Sequence, residues 1–212
     1  MRRVALSLSS VVALAALHSF TAPESADPTP TEFRRQLDAA ERAFGEGSYL
    51  AAVERLRSGM QIAHDALRTS VIEVMPAPPT GFVPVAMPEA PAPRPNDALA
   101  INLAVTSPRP IERRYQTHDG TGTLRILVAP NAPSVAYVQQ QLRQAETDER
   151  FAAVVVGDTA GVIVRSAPTL AFRFALNGKH LLEIQTTGVE EELLVKMVDQ
   201  RSLERLIAAL GQ

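Results

Sequence analysis

The chain has no cysteine and no tryptophan, and aromatic residues fill only 5% of its 212 positions. Without cysteine there is no disulfide, no thiolate metal centre and no cysteine nucleophile, so the core holds by packing alone. Scarce aromatics leave little from which to build stacking platforms for bases or sugars. Neither sign of charge is in excess: 21 Lys and Arg stand against 23 Asp and Glu, for a formal net charge of -2. That balance offers no basic field to neutralise a run of phosphates, so nucleic acid is not an expected partner. At this length one compact core plus a smaller helical unit is expected, with no room for a large enzyme.

Long hydrophobic runs are also missing, with one short exception at the start. Arg2 and Arg3 precede an apolar or small stretch from Val4 to Leu17, the order of a secretory signal peptide. The stretch falls short of the ~20 apolar residues that span a bilayer, and Ser7, Ser9 and Ser10 interrupt it. Residues 1–22 are therefore expected to be a cleaved signal peptide, with membrane anchoring only if the segment stays uncleaved. No cysteine follows it, which excludes lipid attachment of the bacterial lipoprotein kind. The expected location is the periplasm.

Residues 29–75 read as an antiparallel helical hairpin. Thr29, Pro30 and Glu32 supply an N-cap, a first-turn proline and a capping-box partner. Phe33, Leu37, Ala40 and Phe44 then step by three and four down one face, and Gly45 and Gly47 end the helix. Ser48 opens a second helix carrying Val53, Leu56, Met60, Ala63, Leu67, Val71 and Val74 on one stripe. That stripe is free to dock on the C-terminal domain or on another chain. Prolines dominate residues 76–96, the composition of an extended linker, although Phe82, Val83 and Val85 are apolar enough to lie against a folded surface.

Residues 97–212 read as a C-terminal α+β domain, an antiparallel sheet covered by helices. Ile101, Leu103 and Val105 alternate as on a strand. Strands are expected over 111–117 and 123–128 around a turn at Asp119-Gly120, then a helix from Pro133-Ser134 to Ala145, a strand over 151–156 and a turn over 158–161. Asn177-Gly178 is the sharpest local signal, since a type I′ hairpin turn wants positive φ at both centres. Thr187 and Glu190 offer a capping box for a closing helix through Leu193 and Met197, ending in an amphipathic turn with Leu203, Leu206, Ile207 and Leu210. With the helices on one side, the domain has two layers.

Gly47, Tyr49 and Ala52 resemble the start of the second half of a tetratricopeptide-type unit. One unit is visible and no second copy at a fixed period, whereas a solenoid needs about three. The hairpin followed by Met75, Pro78, Pro79, Gly81 and Phe82, and a close in Ile184, Thr186, Gly188, Val189 and Glu192, resembles an uncharacterised family of proteobacterial secreted proteins. That resemblance implies secretion and the two-part layout. The closing strand, Gly188 and helix are loosely similar to the Mog1/PsbP-type fold, which speaks to fold alone.

Catalytic signals are absent from the sequence. His18, His64, His118 and His180 contain no i, i+4 pair of the zinc-helix type. Gly120-Thr121-Gly122 lacks the lysine and strand-to-helix setting of a phosphate loop. No serine sits in a Gly-x-Ser-x-Gly elbow. His118 with Asp119 fits a hairpin tip, and Glu190, Glu191 and Glu192 fit the first turn of a helix. Arg113, Arg114 and Arg173 would form a small positive patch if they shared a face. No catalytic, cofactor-binding or metal-ligating residue is therefore assigned, and neither cofactor nor metal is expected. The leading expectation is a non-catalytic interaction module whose partner is another envelope protein. The alternative is a small-ligand binder or minor enzyme with Tyr115, His118, Arg173 or His180 as polar contacts in a cleft.

Overall fold

The computed structural model describes residues 30–86 and 109–211. The apolar N-terminal run, the Thr29 cap, the strand pattern at Ile101 to Val105 and residues 87–96 of the proline-rich segment lie outside the described residues. Helix α1 (Pro30–Gly45) and helix α2 (Tyr49–Val74) form the hairpin. Small residues seat one helix on the other: Ala40 and Ala52 are buried, and a methyl group added at Gly59 would lie 3.6 Å from the Phe33 ring and the Gln36 Cβ. Ser48 precedes α2 as expected, but its hydroxyl makes no capping bond.

Among the described residues the sheet has seven antiparallel strands: β1 (Phe82–Pro84), β2 (Ile111–Thr117), β3 (Thr123–Ala129), β4 (Phe151–Val156), β5 (Thr159–Ser166), β6 (Thr169–Leu176) and β7 (His180–Thr187). Their spatial order is β1-β2-β3-β7-β6-β5-β4. Asn177 and Gly178 both take positive φ, 49° and 65°, in the turn between β6 and β7, as the sequence predicts. Within the proline-rich segment, Phe82 to Pro84 pair with Thr117 to Tyr115, so the chain leaving α2 adds an edge strand before it departs.

Alternate residues of the strands, among them Tyr115, Leu124, Ile126, Ile163, Phe172, Phe174, Leu182 and Ile184, form the main core with helices α4 (Glu191–Met197) and α5 (Gln200–Leu210) through Leu194, Leu203 and Leu206. The last turns of α2 enter the same core: Val71 is 0% exposed, Met75 is buried, and Leu67, Ile72 and Val74 pack against it. The hairpin is thus rooted in the domain. At 1.5 Å per residue α2 runs about 39 Å, and only its first half lies along α1.

Three expectations are corrected. Helix α3 (Val135–Gln144) covers the opposite face of the sheet through Val135 and Val138 on Leu127, Val162 and Leu181, so the helices occupy both faces. The signal was there in Val162-Ile163 and Leu181-Leu182, consecutive buried residues that only a strand covered on both sides requires. The turn placed over 158–161 is confined to Gly157-Asp158, and Gly161 sits inside β5. The closing helix is two: Thr187 ends β7, Glu190 is an extended N-cap without a side-chain bond, and Asp199 starts α5 by accepting the Ser202 N–H at 2.6 Å.

Candidate functional site

The sequence stripe of α2 divides where the helix leaves α1. Its C-terminal half is core, whereas Val53 and Leu56 are 43% and 46% exposed. Around them Leu37 is 40%, Phe44 65%, Tyr49 62% and Leu50 74% exposed. The Phe44 and Tyr49 rings meet edge to face, centroids 5.3 Å apart, so the end of the hairpin carries an ordered aromatic pair. Tyr49, Val53 and Leu56 repeat at steps of four and three, and therefore share one side of α2. Six large apolar side chains exposed at one end of a hairpin are the kind of cluster that marks an interaction surface. Exposed Asp38, Glu41, Arg42, Glu54 and Arg57 border it with both signs of charge. Phe33 points inward and belongs to the helix–helix seam. Leu50 was missed because the stripe read from the sequence starts at Val53, although Leu50 lies three residues before it and beside it on the helix.

The polar residues proposed for a ligand cleft do not converge. Tyr115 is buried in the main core, and Arg173 lies on the opposite face, held by Glu183 at 2.7 Å and Gln141 at 3.2 Å. His118 is exposed in the β2–β3 turn, while His180 is buried at the far end of the sheet. Asp119 accepts bonds from the Thr117 hydroxyl at 2.6 Å, the Thr121 hydroxyl at 2.9 Å and the Thr121 N–H at 3.1 Å. These bonds, the Thr117 one foremost, hold its pKa down to about 2. The carboxylate is the clasp of the turn.

The three arginines do not make a patch either. Arg113 and Arg114 are adjacent in β2 and so face opposite ways. Arg114 pairs with Glu112, which also meets Arg125 at 3.0 Å; Arg125 reaches Glu183 at 3.5 Å, and Glu183 holds Arg173. Charges alternate across four strands, with Arg114, Arg125 and Arg173 each paired to one or both of Glu112 and Glu183. Glu191 is likewise engaged, accepting from Nε and Nη2 of Arg165 at 2.8 Å each, and that hydrogen bonding lowers its pKa. Among the described residues no three His, Asp or Glu side chains gather at metal-binding distance, and no helix is long and apolar enough to cross a membrane.

His180 supplies a pH-dependent element of the fold. Its Nδ1 accepts the Asn131 backbone N–H at 3.1 Å. Burial first, and then the nearby Lys179 charge, push its pKa below 6.5. The folded chain therefore prefers the neutral ring: its contribution is complete above about pH 6.5 and is lost as pH falls toward the folded-state value. The melting temperature of the wild type is expected to fall more steeply from neutral to mildly acidic pH than that of His180→Gln; parallel curves would remove His180 as the cause.

No family model, no curated protein and no solved structure matches the chain.

Proposed function

We propose that this chain is a non-catalytic accessory protein of the bacterial periplasm, which binds another envelope protein through the outer face of its helical hairpin. Export rests on the order of Arg2, Arg3 and the apolar run from Val4 to Leu17. The binding role rests on one observation: the α2 stripe continues past the core as an exposed apolar row, joined by Phe44 and Leu50. Its repeat of three and four suits an amphipathic helix of the partner, which would add a third helix to the hairpin. Mixed charges along the rim favour a partner of similar character over a strongly acidic or basic one.

The test uses the full chain purified with its complex from the native envelope. Phe44→Glu with Leu50→Glu is expected to release the partner with melting unchanged, because both side chains are exposed. A complex that survives this pair of substitutions would overturn the hairpin as the interface. The same preparation is expected to yield a mature mass lacking residues 1–22.

A further inference from the structure

Strand β4 is the last strand of the sheet, with β5 on one side and no strand on the other among the described residues. Its six residues, Phe151, Ala152, Ala153, Val154, Val155 and Val156, include no charge, proline or glycine. Natural sheets blunt their edges with such residues, since an open row of N–H and C=O groups invites another strand. The two-residue turn at Gly157-Asp158 sets Val156 opposite Thr159, so alternate residues from Val156 back through Val154 and Ala152 bond to β5. The Arg150 carbonyl keeps this parity by accepting the Arg165 N–H at 2.8 Å. Ala153 and Val155 consequently direct both backbone groups outward. Phe151 shares their parity, but its N–H is taken by the Asp148 carbonyl at 2.9 Å.

We propose that β4 pairs antiparallel with β4 of a second copy about a two-fold axis through Val154, continuing one sheet through both molecules. In this register Ala153 stands opposite Val155 of the second copy, twice by symmetry, and all four outward groups of each chain are used. The small alanine meets the side chain of Val155, which is 70% exposed. Just beyond the strand ends, Arg150 and the turn residue Asp158 of the second copy come next to each other, twice by symmetry. Asp158 makes no ion pair among the described residues; exposed Arg150 is already paired with Asp148 at 2.7 Å and would be shared between the two carboxylates. Moving the axis to Ala153 keeps the parity but sets Arg150 opposite Val156, so charge selects the first register. A foreign strand has no reason to match this self-complementary order, which is why the occupant is a second copy. The surface is separate from the hairpin face.

The missing cysteines make the register directly measurable. Val154 meets its own symmetry mate as a non-hydrogen-bonded pair with Cα atoms about 4.5 Å apart, inside the range that a disulfide bridges. Val154→Cys is expected to give a covalent dimer on oxidation, whereas Ala153→Cys stays monomeric under denaturing conditions. Sedimentation velocity at micromolar concentration is expected to show a wild-type dimer. Ala153→Pro removes an outward N–H without touching a bond to β5, and is expected to give a monomer that melts like the wild type diluted below its dimerisation range. Val155→Lys is the second variant if the proline disturbs folding. A monomeric wild type, or a dimer that withstands both substitutions, would overturn the proposal. Cross-linking through Ala153→Cys and not Val154→Cys would overturn the register.

Discussion

Val71→Asp is expected to abolish folding of the whole chain, while Val53→Asp, on the same helical stripe, leaves its stability within about 0.5 kcal/mol. Val71 is completely buried where α2 meets the sheet and α5, with no cationic side chain in that apolar cluster to pair with a new carboxylate. Burying an unpaired charge costs on the order of 4 kcal/mol or more. A domain of this size has about 5–15 kcal/mol of net stability in all. Val53 stands in solvent on the projecting half of the hairpin, so the same aspartate there is hydrated. Circular dichroism and thermal melting of the two variants check the contrast. Equal destabilisation by both would mean that the projecting half is covered, and that the apolar face is not open for binding.

Gly161→Ala is expected to lower the melting temperature by roughly 6–12 °C, from a cost on the order of 3 kcal/mol in forced overpacking. A Cβ at Gly161 would lie 2.5 Å from Cδ1 and 2.6 Å from Cε1 of Phe174, and 2.8 Å from the Arg173 carbonyl oxygen. Phe174 is fully buried and has nowhere to retreat, and the carbonyl belongs to the paired strand β6. Gly45→Ala is the control: nothing lies within 4 Å of its added methyl group, and the melting temperature is expected to stay close to that of the wild type. A small effect at Gly161 would show that β5 and β6 separate easily at this point.

Gly161 also shows why part of the sheet was illegible in sequence. Read locally, Gly157, Asp158 and Gly161 form one turn-rich cluster, and only the ring across the strand pair reveals that the second glycine serves close packing. Elements with strong local chemistry were readable: β2, β4 and the Asn177-Gly178 turn occupy the predicted positions. The break between α4 and α5 was signalled by Asp199 and Ser202, an N-cap spacing masked by continuing apolar periodicity. The hairpin stripe was legible as apolar, but the point where it passes from solvent into core depends on where α1 begins and where the sheet lies. Those are tertiary facts, and Val53 and Val71 are chemically identical in sequence.

The partner is proposed to meet the exposed hairpin face and not the sheet domain. Photo-activatable phenylalanine analogues placed singly at Phe44, Leu50 and exposed Arg201, followed by irradiation of intact cells of the native host and mass analysis, test it most directly. One heterologous adduct of defined mass from Phe44 and Leu50, and none from Arg201, is the expected result. No adduct from the two hairpin positions, or the same adducts from all three, would contradict it.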